Sequence, residues 1–346
     1  MPITLLDELA IEQPKLRKGI IQTLVESVML QDRIPYETTG NLQVPVTYLS
    51  GIPVVPLRHI NEAATASQVT HAQLLETLHI FDTDIDIDPV LAANKNQIQP
   101  IEVVQTQGVV KALGYRINDL FINADPTSDA REPMGLKYRL TNDIRFNGQT
   151  VNADSNTTPV GVSPAAADAN FLTLLNKLDE LFYLLEFKKG TILITNRQMV
   201  LTLWAGLRKL KLLDTTRDQF DREIAVYRGV PIIDIGFKPS AAITGSPDAA
   251  AAAVNQIIGN SADTPTGGGS NAYTASSVSY AAVLGEDNLM GLQQEAMHVK
   301  PIGETEATPH YIRTNIRWVM NPGVPFQKRA IARLVGFDTN ATTAPD

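Results

Sequence analysis

Residues 36 to 88 constrain the fold most. The stretch "YETTGNLQVPVTYLS" has the β-branched and aromatic chemistry of a strand, and so does "THAQLLETLHIFDTDIDID". Between them lies "GIPVVPLRHINEAATASQ", rich in proline, glycine and small residues, which interrupts regular structure. Two extended arms with an irregular tip predict a hairpin. If the second arm is continuous from Thr70 to Asp88, it reaches about 55–60 Å. Ordinary strands hold about five or six residues. A hairpin that long cannot lie against its own compact domain throughout, so it is expected to reach onto a neighbouring subunit, as strand-addition contacts do.

The same arm carries the chain's most chemical-looking motif. Asp82, Asp84, Asp86 and Asp88 alternate with Thr83, Ile85 and Ile87. A calcium loop of the EF-hand type needs glycine sixth and glutamate twelfth. Counting from Asp82, Ile87 and Ala93 stand there. Strict alternation is the signature of a half-buried strand, with the carboxylates on one solvated face and the isoleucines on the other. An acidic edge also discourages unwanted strand pairing.

No other stretch supplies a catalytic constellation. The five histidines, His59, His71, His79, His298 and His310, form no HExxH-type pair. His71 and His79 are too far apart along one strand to share an ion. "TPTGGGSN" lacks the lysine-serine ending of a phosphate loop. There is no GxSxG elbow and no GxGxxG fingerprint. Glu304, Glu306 and His310 are near one another, an arrangement a solvated loop explains as well as acid/base chemistry does. The expectation is no catalytic, cofactor-binding or metal site, and no enzyme.

Bulk composition agrees. With 346 residues, 44% hydrophobic and 19% charged, the chain can bury a large core. A net charge of −8 opposes tight binding to nucleic-acid phosphates; it permits a protein that merely encloses nucleic acid. The chain has no cysteine, which excludes disulfide scaffolds, zinc–thiolate sites and cysteine nucleophiles. "MPITLLDELAIEQPKLRK" does not read as a secretory signal, and no run approaches the ~20 apolar residues of a membrane span.

Periodicity outlines the remaining elements. Leu16, Ile20, Leu24 and Val28 make one helical stripe over residues 14 to 31. Residues 100 to 123 predict a helix about 35 Å long. Asn147-Gly148 in "RFNGQTV" predicts a hairpin turn, and residues 152 to 165 a polar loop. Phe171, Leu174, Leu175, Leu178, Leu181, Phe182 and Leu185 mark a helix over 164 to 190. "TILIT" follows as a buried strand, and Asn196 caps a helix with Met199, Val200, Leu203, Trp204 and Leu207 on its apolar face. "EIAVYRGVPIIDIG" predicts a hairpin turning at Arg228-Gly229. Residues 240 to 276 are low in complexity and read as an exposed insertion. "SVSYAAVLG" and the alternating "YIRTNIRWVM" read as strands.

The order of these elements resembles the major capsid proteins of tailed double-stranded DNA bacteriophages, which share the Hong Kong 97-type capsid fold. "LRKGIIQTLVESVMLQDRIPYE" looks like their N-terminal arm, and "DTDIDID" like the strand returning from the hairpin. "VVKALGYRINDLFINAD" with "PMGLKYRL" looks like the end of the spine helix and the segment after it. "YRGVPIID" and "LGEDNLMGLQ" look like axial-domain strands, and "YIRTNIRWVMNPGVPFQKRAIARLVGF" like peripheral-domain strands. The resemblance implies an α+β chain. Its parts would be an arm at 1–35, an extended hairpin loop at 36–80, a peripheral domain at 81–160 and 300–340 with a spine helix at 100–123, and an axial domain at 161–299 with the insertion 240–276.

The function so implied is a structural shell subunit. Copies would form pentamers and hexamers that close into an icosahedral shell around a double-stranded DNA genome. Leu16, Ile20 and Leu24 of the arm, with Arg58 and Glu62 of the hairpin, are the expected inter-subunit contacts. The expected location is the virion capsid, assembled in the host bacterial cytoplasm. Portal and decoration proteins are possible partners; no membrane and no cofactor are expected, and DNA is enclosed without sequence-specific binding. No lysine occurs between Lys18 and Lys95, so the lysine–asparagine crosslink of some members is not expected. The hairpin begins by about residue 36 and the chain opens with Met1, which favours a separate scaffolding protein. The alternatives are an encapsulin-type compartment of the same fold and a soluble α/β enzyme using Asp82 to Asp88 with a histidine.

Overall fold

The computed structural model describes residues 30–51, 53–55, 57–63, 66–92, 101–153, 164–217, 221–236, 256–258, 277–305 and 308–337. The arm stripe and most of the loop at 152 to 165 lie outside these residues. Strands β1 (Tyr36–Thr38), β2 (Gln43–Gly51), β3 (Thr70–Thr77) and β4 (His79–Ile87) come first. Helices α1 (Ile101–Asn123) and α2 (Leu136–Asn142) follow, then β5 (Thr150–Asn152), α3 (Pro164–Leu184), β6 (Thr191–Thr195), α4 (Arg197–Lys209), β7 (Asp214–Arg217), β8 (Glu223–Tyr227) and β9 (Val230–Asp234). The last strands are β10 (Ser277–Val283), β11 (Leu289–Gln293), β12 (His298–Thr305), β13 (Thr308–Pro325) and β14 (Ile331–Phe337). The class is α+β, as expected. Among the described residues no helix is long and apolar enough to cross a membrane.

A seven-stranded sheet in the order β5-β14-β10-β6-β9-β8-β7 carries the core. Its central strands are apolar on both faces because both faces are covered. Ile192, Ile194, Tyr280, Ile331 and Val335 pack with Val110, Ile117 and Phe121 of α1. Leu193, Ala281, Val283 and Leu334 pack with α3 and α4 on the other side. The whole predicted α3 stripe, Phe171 to Leu185, is buried there. Gly206 lets the two helices meet: a Cβ at that position would stand 2.2 Å from the Phe171 ring. The helix expected to reach 190 stops at Leu184, because the chain turns left-handed at Glu186, Phe187 and Gly190.

Asn196 caps α4 as expected, its side chain accepting from the Met199 N–H at 2.9 Å. Asn196→Ala is expected to cost about 1 kcal/mol of stability, in chemical denaturation followed by circular dichroism. The β8–β9 hairpin turns at Arg228 and Gly229, both at positive φ (52° and 79°), as a tight primed turn requires.

Asn147-Gly148 does not turn a hairpin. The residues before it coil into a 3-10 turn, Ile144–Phe146, started by Asp143, whose side chain accepts from Arg145 N. No first strand is left to pair, and β5 joins β14 in parallel instead. The stretch 240 to 276 is not wholly exposed either. Ile257 and Ile258 belong to the core beside α1, where Asn123 donates to the Ile257 carbonyl at 2.8 Å. Gln256 beside them is buried too, and the rest of that stretch lies outside the described residues.

The second sheet is built on the 18-residue strand β13. Residues Ile312–Arg317 pair with β4 on one edge and β12 on the other. Met320–Pro325 pair with β11, and β1 adds in parallel beyond it. The "LGEDNLMGLQ" strand, grouped by the resemblance with β8 and β9, thus lies in the sheet of β13. Trp318 is the anchor, 1% exposed. Its indole N–H donates to Gln293 Oε1 at 3.1 Å, and its ring lies 5.4 Å from that of Tyr36.

The long second arm is not one strand. It breaks at buried Leu78, whose N–H donates to the Leu42 carbonyl at 2.8 Å. On one side β3 pairs with β2, and on the other β4 pairs with β13. The hairpin proper is therefore β2 and β3, and the aspartate strand belongs to the body.

Candidate subunit interface at the hairpin

The hairpin has two faces set by its alternation. Val44, Val46 and Tyr48 pair across from Glu76, Leu74 and Ala72. Val46 and Glu76, at 1% and 2% exposure, are buried against the body. The loop joining β2 and β3 is the reverse case: Val54, Val55, Leu57 and Ile60 are 83%, 80%, 100% and 94% exposed. So many apolar side chains left uncovered at a loop tip mark an interaction surface. Within this loop Arg58 donates to the Glu62 carbonyl at 2.9 Å, and the Glu62 carboxylate accepts from the His59 N–H at 2.8 Å. Arg58 and Glu62 thus hold one another, exposed, at the tip. Leu16, Ile20 and Leu24 lie outside the described residues.

The root of the hairpin holds a feature the sequence reading missed. Arg139 of α2 sends Nη1 and Nη2 to the two carboxylate oxygens of Glu76, each at 2.7 Å. Both side chains are buried, at 0% and 2%. Arg139 Nε donates to the Met134 carbonyl at 2.9 Å, which aims the guanidinium. Arg145 stands 3.7 Å from Glu76, pairs with Asp143 at 2.5 Å, and lies over the Tyr48 ring at 5.1 Å. Burial works to raise the Glu76 pKa, but the charges of Arg139 and Arg145 and the bond from Arg139 hold it below the ordinary carboxylate value. At the same root Val46 and Leu78 pack with Leu292, Val319 and Val324 of the body, and Asn321 donates to the Thr77 carbonyl at 3.1 Å. The signal was present: Ala72, Leu74 and Glu76 share one strand face, and Arg139 sits on the helix face of Leu136. A charged residue on an apolar face in two segments points to a buried pair.

The aspartates sit where the alternation put them, on the outer face of β4, but they are not a bare acidic row. In register, Asp86 faces Arg313, Asp84 faces Asn315 and Asp82 faces Arg317 on β13. Arg313 binds Asp86 through two bonds of 2.7 and 2.6 Å and lies 3.3 Å from Asp84. Asn315 Nδ2 donates to Asp82 and Asp84 at 2.5 and 2.7 Å. The hydrogen bonds from Arg313 lower the Asp86 pKa. Asp88 caps the next helical turn, accepting from Val90 N at 2.8 Å. The carboxylates are taken up by a cross-strand ladder, and among the described residues no cluster of His, Asp or Glu could hold a metal ion. Because the ladder is solvated, Arg313→Ala is expected to leave the unfolding midpoint nearly unchanged, with any small loss vanishing at high salt. Calcium or a chelator is expected to leave that midpoint unmoved.

The histidines remain scattered. His59 lies in the hairpin loop, His71 on β3, and His298 on β12 opposite Arg317. His79, at the start of β4, is half-buried, which lowers its pKa. Glu304 and His310 fall on β12 and β13, and Glu306 lies outside the described residues.

No protein-family model matches the chain, and no curated protein does. Solved structures do. The SrpI encapsulin complex from Synechococcus elongatus is similar over 97% of this chain and 94% of its own, with a TM-score of 0.57 at 12% identity. The capsid of Myoviridae phage XM1 matches over 89% and 90%, with a TM-score of 0.56 at 10% identity. The capsid of a native GTA particle matches over 90% of both chains, with a TM-score of 0.54 at 11% identity.

Proposed function

From a chain that carries the Hong Kong 97-type capsid fold, we infer a shell-forming subunit that assembles as pentamers and hexamers into an icosahedral capsid enclosing the double-stranded DNA of a tailed bacteriophage. The observation that carries this reading is the hairpin: an apolar loop uncovered on its own subunit, held out from a root buried in the body. Such a loop finds its cover on a neighbouring copy. In this reading Arg58 and Glu62 at the tip belong to that contact, along with Leu16, Ile20 and Leu24 of the arm. In this reading the sheet of β13 with the spine helix α1 is the peripheral part, and the α3–α4 module is the axial part, meeting its copies at capsomer centres.

Closed symmetry then turns many modest contacts into a stable shell. The net charge of −8 suits a container that must admit and release its genome, since tight phosphate contacts impede both. A separate scaffolding protein and a portal are the expected partners, and the host cytoplasm the place of assembly. Without a lysine between Lys18 and Lys95, the hairpin has no amine for an isopeptide crosslink.

Likeness to an encapsulin over nearly the whole chain supports a second reading, a compartment around a protein cargo. Electron microscopy of the protein from its native source, with nucleic acid and protein contents assayed in the same fraction, separates the two. Closed shells of one size containing DNA are the expected result. Shells with protein cargo and no DNA favour the compartment, and a soluble monomer or dimer overturns both.

A further inference from the structure

We propose that Glu76, Arg139 and Arg145 form a positioning clasp that sets the angle of the hairpin on the free subunit, before any neighbour is met. The purpose rests on the shell-subunit reading above; the action rests on geometry. The hairpin joins the body through two short connections, Thr39–Leu42 and the single residue Leu78. Two short connections side by side make a hinge. The apolar packing around it, Val46, Leu78, Leu292, Val319 and Val324, is non-directional and tolerates rotation. A two-pronged ion pair does not.

Each hairpin strand is gripped once. Arg139 takes Glu76 on β3 with two bonds of 2.7 Å, and Arg145 covers Tyr48 on β2 at 5.1 Å. Both arginines are themselves held by the body, Arg139 by the Met134 carbonyl and Arg145 by Asp143. The titratable and charged groups around Glu76 are Arg139, Arg145, Asp143 and His79. Well-packed apolar residues can stabilise such a place as well as a buried ion pair does. What the pair adds here is direction, and an arm already aimed loses less freedom on meeting its partner.

The chain has no cysteine, so Gln73→Cys on exposed β3 and Ala112→Cys on the exposed side of α1 can carry a spin-label pair. Pulsed dipolar resonance on unassembled subunits is expected to give one narrow distance peak for the otherwise native chain. In Glu76→Leu/Arg139→Met the peak is expected to broaden or split while the unfolding midpoint is kept, and uniform shell size to be lost. Arg145→Gln, which releases Tyr48 but leaves the two-pronged Arg139–Glu76 pair in place, is expected to broaden it less. A narrow peak in both variants overturns the clasp, as does a broad peak in the native chain. Failure of the native chain to form shells counts against the shell reading alone, because the distance measurement needs no shell.

Discussion

Arg139→Met, with Glu76 left in place, is expected to lower the free energy of unfolding by about 3–5 kcal/mol. The loss comes from what remains: a carboxylate at 2% exposure with its two-pronged partner gone. Arg145 at 3.7 Å cannot replace it, being held by Asp143. The double change Glu76→Leu/Arg139→Met removes both charges and is expected to unfold at or above the native denaturant midpoint. Urea titrations of the three chains at neutral pH check this: the double variant is expected at or above the native chain, and the single variant well below both. An acid series adds a second check. The folded pKa of Glu76 lies below its unfolded value, so as pH falls the unfolded chain takes up the proton first. The contribution is complete above the unfolded value, about 4.3, and is lost as pH falls through the folded one. The native chain is therefore expected to lose more stability than the double variant on acidification below that point.

Trp318→Ala is the other large effect, expected at about 3–5 kcal/mol. The indole is 1% exposed in the middle of β13 and packs with Tyr36, which donates its hydroxyl to Gln31 at 2.6 Å. Tyr36 has no slack: a Cβ at Gly291 would stand 2.3 Å from its ring. A cavity here sits among strands fixed by backbone pairing, which cannot close on it. Trp318→Phe keeps most of the contact and loses the bond to Gln293, for an expected cost of about 1–3 kcal/mol. Denaturant unfolding of both variants measures the difference.

What could be read from the residues was whatever had a local period. The α3 stripe from Phe171 to Leu185, the Asn196 cap, the Arg228-Gly229 turn and the alternation of Asp82 to Asp88 each announce themselves within one or two turns or a few strand residues. What escaped depended on distant partners. Leu78 breaks the arm because β3 before it pairs with β2 and β4 after it pairs with β13, and nothing in "LLETLHIF" says so. Gln256 to Ile258 look like loop because their cover comes from α1, more than a hundred residues earlier in the chain. Glu76 and Arg139 are 63 residues apart, and each alone resembles an ordinary surface charge. The sequence-level interface residues divide in the same way: Arg58 and Glu62 stand exposed at the tip, but the residues that hold the hairpin in place were not among them.

The pairing of β4 with β13 has a consequence for biosynthesis. Residues 79 to 87 have their ladder partners at 312 to 320, so this sheet cannot close until residue 320 has left the ribosome. Contacts so distant in sequence form slowly, and the helical module between them can fold while they wait. A fragment ending before residue 312 has nothing to place beside the aspartate strand, and so no platform from which to hold the hairpin. The long strand thereby acts as a completeness check: only a chain translated through β13 can set the hairpin on its sheet.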